Sequence, residues 1–184
     1  RMADAPADTV ATSGWKLTTP ETVGEFTAVG YFFARDLFQK LGVPIGLVNS
    51  SVGGTPVESW LSPAAVSSNP AFGVVAERWR DNLAAFPANR AAHESALAAW
   101  TAAETKAKAD AAVAGAKTKP KTDGAKSHAA WLKRNPRPRA PRGPGDAWTP
   151  TGLFNGMINP LLPYAIRGAV WYQGESNAER AAEY

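Results

Sequence analysis

The chain has 184 residues, 45% of them hydrophobic, and no cysteine, which suits one packed domain with room for an insertion and excludes disulfides, thiolate nucleophiles and cysteine-ligated metals. No run approaches the roughly 18 apolar residues of a membrane span, and the first residues, RMADAPADTV, hold no apolar signal core. The net charge of +4 is unevenly placed: residues 101–142 carry eleven Lys and Arg against three carboxylates, a local +8, so the remainder stands at −4 and the basic pI is not a property of the fold.

In chain order, residues 25–42, EFTAVGYFFARDLFQKLG, place Phe26, Val29, Phe33, Leu37 and Leu41 at helical spacing, with Gly42 and Pro44 as the stop. VPIGLVNSS follows directly, a short Val- and Ile-rich run suited to a strand buried on both faces. The stretch from about residue 65 to about residue 150 has a different character and reads as an insertion. Its Ala-rich first half, from FGVVAERWRDNLAAF to AAVAGA, predicts two helices broken at Pro87. Its second half, KTKPKTDGAKSHAAWLKRNPRPRAPRGPGDAW, is dense in Pro, Gly and cations and predicts extended or mobile chain anchored at Trp131 and Trp148. The helix-then-strand rhythm returns in TGLFNGMINPLLPY, helical in part and limited by Pro160 and Pro163, and then AIRGAVWYQ. The expected organisation is therefore an α/β body in residues 1–64 and 151–184 with a helical and Pro-rich insertion at 65–150. Without the insertion two strands remain, fewer than the roughly 4 to 6 of an ordinary sheet, so the body is expected to be incomplete in this chain.

Chemistry is expected at the two strand ends, since ligands of open α/β sheets bind where parallel strands finish. The first end is NSSVGGTPVESW. Gly53 and Gly54 there let a backbone approach a ligand and present amide donors, or merely supply a tight turn. The second is WYQGESN, residues 171–177, which gathers Gln173, Glu175, Ser176 and Asn177.

Taken together, VPIGLVNSSVGGTPVESWLS and PTGLFNGMINPLLPYAIRGAVWYQGESNA resemble the sialate O-acetylesterase group of the SGNH (GDSL-like) hydrolases, over about fifty residues. The resemblance implies a flavodoxin-like three-layer α/β/α fold and hydrolysis of O-acetyl esters on sugars by a serine nucleophile, with no metal and no cofactor. It implies an oxyanion hole to which Gly54 contributes, with Gly53 the adjacent alternative, and Gln173, with Asn177 as a further candidate. An amide suits that role because it donates without titrating. The family's G-Q-S-N-like serine block and its late Asp-x-x-His have no counterpart here. The nucleophile and base are thus expected outside this chain, in N- and C-terminal segments of the same enzyme, and the piece alone is expected to be inert. By the same resemblance, whose bacterial members are commonly exported, the setting is periplasmic or secreted.

Other residues carry weaker signals. Ser50 and Ser51 lie beside the glycine pair but outside any G-x-S-x-G elbow, and Glu175 reads as a turn-orienting carboxylate. Asn49-Ser50-Ser51 is a sequon at an expected buried strand end. His93 lacks the second histidine of a helical zinc site, and His128 reads as a surface residue. Trp60 and Trp171 suit packing; Trp148, leaving the Pro-rich segment, is the better substrate-lining candidate, and Gly53 and Asn177 are further substrate-binding candidates. The alternative function is a non-catalytic module, either one that keeps the fold for carbohydrate recognition or one that binds a polyanion through the cationic arm, although the arm carries no nucleic-acid motif.

Overall fold

The computed structural model describes residues 1–117 and 122–183. They divide into two compact units: Arg1–Trp79 with Pro144–Tyr184, and Arg80–Gly143. The regular elements are the helices α1 (Ala28–Leu41), α2 (Pro63–Ser68), α3 (Gly73–Lys117) and α4 (Thr122–Arg134), supplemented by short 3-10 turns.

In the first unit, α1 forms where the apolar spacing predicts it and stops at Gly42, whose N–H donates to the Phe38 carbonyl at 2.9 Å. α2 begins on Ser62, whose hydroxyl accepts from the Ala65 N–H at 3.1 Å, with Pro63 in the first turn. Both features stabilise a helix start by serving or removing orphan N–H groups.

The expected α/β character is not found. The apolar runs VPIGLVNSS and AIRGAVWYQ were each expected to be a buried strand, but no strand forms among the described residues. The reason is physical. An apolar run specifies what a segment buries once a neighbouring ladder takes up its backbone N–H and C=O groups. Here Val48, Ile166 and Val170 stand half or more exposed, without such a neighbour.

The core of this unit sits elsewhere, and it is small and half polar. Pro56, Ser59, Leu153, Asn155 and Asn177 are the largest of its fully enclosed side chains. A helical run broadens over Phe154–Ile158 and tightens over Asn159–Leu161, and the N-terminal segment lies along it. Asn155 and Asn159, one turn apart, donate from their side chains to the carbonyls of Ala3 at 3.3 Å and Ala7 at 2.9 Å. The Ala3 and Ala7 N–H groups answer by donating to the carbonyls of Gly152 and Asn155, both at 2.9 Å. At Gly156 a side chain is impossible without movement, because a Cβ would strike the Arg1 carbonyl. The motif N-G-x-x-N is thus a clasp for a passing backbone.

The second unit is built on residues 80–117 of α3 and on α4. Pro87 was expected to divide two helices, yet α3 runs through it for 45 residues. Proline removes one rung and crowds the preceding turn, but Ala-rich chain on both sides favours helix strongly enough to continue. The expectation of extended chain after residue 117 also needs correction, since 122–134 is helical; residues 118–121 of that stretch lie outside the described residues. Packing overrides composition here. His128 and Trp131, one turn apart on α4, stack at 6.4 Å, and Trp131 meets Trp100 of α3 at 5.8 Å. The Trp100 indole N–H donates to the Asn135 carbonyl at 2.9 Å, which fixes where α4 ends.

Candidate functional site

The two predicted strand ends meet in the first unit. The loop 52–60 is folded on itself by Thr55, whose hydroxyl donates to the Val52 carbonyl at 2.7 Å and accepts from the Trp60 indole N–H at 3.0 Å. Gly54 takes φ +72°, a left-handed conformation that favours glycine, and a Cβ there would meet nothing within 4 Å. Gly53 is similarly open. The glycine pair is therefore an exposed, accessible turn whose shape the sequence specifies at Gly54.

Trp148 reaches this turn from the other side of the chain. Asp146 accepts from the Trp148 N–H at 2.8 Å through its side chain and from the Thr149 N–H at 2.9 Å through its carbonyl, a local Asx turn. That turn carries the indole to the Gly54 carbonyl, to which its N–H donates at 2.7 Å.

WYQGESN closes the site. A turn with the Asn177 N–H on the Gly174 carbonyl at 2.9 Å brings Gln173 and Asn177 side by side. Gln173 Nε2 donates to the Thr55 carbonyl and to Asn177 Oδ1, both at 3.1 Å. Asn177 Oδ1 also accepts from the Val57 N–H at 2.9 Å, while its Nδ2 donates to Glu58 Oε2 at 2.9 Å. Gly54 and Gln173 are thus joined through the Thr55 carbonyl. Asn177, 2% exposed, is enclosed beneath them with its amide engaged on every side.

Glu58 anchors this network, and sequence reasoning missed it. Its side chain is 9% exposed and accepts from Arg180 Nη1 at 2.9 Å as well as from Asn177. Burial pushes its carboxyl upward, but the hydrogen bond from Asn177, a backbone N–H and the Arg180 guanidinium together outweigh it. The carboxyl is therefore held below the usual carboxylate range. Its own carbonyl accepts from the Thr151 N–H at 2.8 Å, with Thr151 at φ 61°. Signals were present in PVESW, where a carboxylate stands among apolar residues, and in ESNAER, which offers Arg180.

The remaining candidates fall outside this cluster or serve it as packing. Ser50 Oγ donates to the Met157 carbonyl at 3.0 Å and Ser51 Oγ to Asn49 Oδ1 at 2.7 Å, so neither faces a base. Trp60 is buried and Trp171 exposed. Glu175 is exposed on the surface. His93 lies on α3 of the second unit, as does Glu104, which stands 3.5 Å from His128. Among the described residues no group of His, Cys, Asp and Glu is arranged to hold a metal, and no helix is long and apolar enough to cross a membrane.

Comparison with known proteins points one way. The chain is 34% identical over 160 residues to a sialate O-acetylesterase of Rattus norvegicus, covering 84% of this chain and 23% of that protein. It is 30% identical over 162 residues to that of Mus musculus, covering 85% and 23%, and 26% identical over 168 residues to that of Homo sapiens, covering 89% and 20%. The chain therefore spans about a fifth to a quarter of the length of these relatives. No family model matches the chain, and no solved structure matches it.

Proposed function

The chain is a relative of the sialate O-acetylesterases, and from that premise we propose that it forms the oxyanion side of a carbohydrate O-acetylesterase. The acyl carbon of an acetylated sugar would be attacked by a serine that this chain does not supply, activated by a base that it also does not supply. The carbonyl oxygen, as it gains negative charge, would lie over the Gly53–Gly54 turn and take the Gly54 N–H as donor. The single observation that carries this reading is the junction of the two motif turns, with Gln173 Nε2 3.1 Å from the Thr55 carbonyl.

Gln173 stands beside that oxygen. Its two amide hydrogens face Thr55 and Asn177, so it donates to the oxyanion directly only by giving up one of those bonds as substrate arrives. Trp148 stands at the same turn, its indole N–H on the Gly54 carbonyl and the residue partly exposed, which suits contact with a sugar face. The apolar runs at 43–50 and 165–173 then belong to a parallel sheet of the three-layer type completed by further strands of the enzyme, where Val48, Ile166 and Val170 would be buried.

The decisive measurement is acetyl-ester hydrolysis by the complete enzyme carrying Gln173→Ala. A fall in kcat of about 10²- to 10³-fold, the usual cost of an oxyanion-hole defect, is expected. Unchanged hydrolysis takes Gln173 out of the mechanism.

A further inference from the structure

Every amide orientation in the site network is dictated by groups that cannot reverse their roles. The Val57 N–H can only donate, so Asn177 must turn Oδ1 toward it, as found at 2.9 Å. The Thr55 carbonyl can only accept, so Gln173 must turn Nε2 toward it. Asn177 is then left with Nδ2 facing Glu58, and an ionised carboxylate is the partner that accepts from it while also accepting from Arg180. One choice propagates along the whole line: Arg180, Glu58, Asn177, Gln173, Thr55.

We propose that Glu58 is a positioning residue for the oxyanion turn, its carboxylate locking the Asn177 amide in the one orientation that holds Gln173 on the Thr55 carbonyl beside Gly54. The role assigned to the turn rests on the esterase reading above; the locking itself does not. Glu58 is enclosed under the turn, with 7% of its surface exposed. What it supplies is polarity at a distance. Were it neutral, Asn177 could face it either way, and the reversed amide would set Nδ2 against the donors of both Val57 and Gln173.

Complementary substitutions test this in the chain itself. In Glu58→Gln the introduced amide can accept from Arg180 only by presenting its own N–H to Asn177, so the lock is lost. In Asn177→Asp alone, a second carboxylate faces Glu58. Combined as E58Q/N177D, the pair restores every donor to an acceptor: the amide introduced at position 58 donates to the carboxylate introduced at position 177, which still accepts from Val57 and Gln173. Exchange of the Val57 amide hydrogen is expected to rise about tenfold or more in each single variant, the scale of losing a charge-assisted bond. It is expected to return to within about threefold of the parent in the double variant. Exchange unchanged in E58Q, or no recovery in the double variant, overturns the proposal. A purely steric contribution of Glu58 gives no such reciprocal rescue.

Should the single variants fail to fold, the parent chain still decides the matter by NMR. Through-bond couplings from the Val57 nitrogen to the Asn177 side-chain carbonyl carbon, and from Gln173 Nε2 to the Thr55 carbonyl carbon, are expected, and their absence overturns the proposal. These readouts are independent of hydrolysis. Couplings and rescue without ester hydrolysis in the complete enzyme defeat the esterase reading alone, whereas hydrolysis with the couplings missing defeats the positioning of Glu58 alone.

Discussion

Around Glu58 the chain is closed by hydrogen bonds between residues 119 to 122 positions apart; around Trp131 it is closed by stacked rings and an indole bond across 35 positions. The first region fixes directions. Each of its bonds has a defined donor and acceptor, so a single reversed amide is felt several residues away. The second region fixes proximity. Aromatic contacts tolerate rotation and exchange of partner as long as area stays buried. The directional network lies under Gly54, and the ring contacts lie between α3 and α4.

The sharpest break in the first region is Gly156→Ala. Its methyl would occupy the place of the Arg1 carbonyl, and the clasp formed by Asn155 and Asn159 would have to open. A loss of about 3 kcal/mol is expected, at the upper end of overpacking penalties. It is measured by urea unfolding, with the Ala3 and Ala7 amide hydrogens becoming freely exchanging. Unaltered protection of those two amides contradicts the clasp.

In the second region the corresponding break is Trp131→Ala, which removes the ring between Trp100 and His128. Because Trp131 is only partly buried, about 2 kcal/mol is expected, less than the roughly 3–5 kcal/mol of a fully buried tryptophan. Ellipticity at the helix band follows it directly; retention of α4 in this variant shows that the cations and alanines suffice.

The smallest effect near neutral pH, and the one that separates the regions most cleanly, is acid sensitivity. Glu58 is held below the usual carboxylate range despite its burial, by Asn177, a backbone N–H and Arg180. Its stabilisation is therefore fully present above the ordinary carboxylate range and drains away as pH falls through the lowered folded value. Stability of the parent should decline on that acid limb, and Glu58→Gln should flatten it. A limb of identical slope in both proteins assigns the acid loss to other groups.

The sequence made the glycine turn and the WYQGESN cluster visible because both are local: φ at Gly54 and a short polar run after an apolar one are written in consecutive residues. Glu58 escaped because PVESW marks a carboxylate among apolar residues without indicating that Asn177 and Arg180 arrive from 119 and 122 residues away. α4 escaped for the opposite reason. Its composition of Gly and cations spoke for mobile chain, while the one-turn spacing of His128 and Trp131, the feature that mattered, gains meaning only when Trp100 is opposite. The two absent strands show the same limit from another side: an apolar run encodes a burial preference, and only a partner converts it into a ladder.

The long separation behind the Glu58 bonds has a kinetic side. They cannot form until the whole intervening chain has been looped back, and the same holds for the clasp bonds of Asn155 and Asn159 across 152 positions, so both sets are late events. Looping entropy grows only logarithmically, about 0.6 kcal/mol for each doubling of length. The intervening excursion can therefore lengthen or shrink severalfold in evolution at little thermodynamic penalty, leaving the geometry over Gly54 untouched while the outer surface is free to diversify.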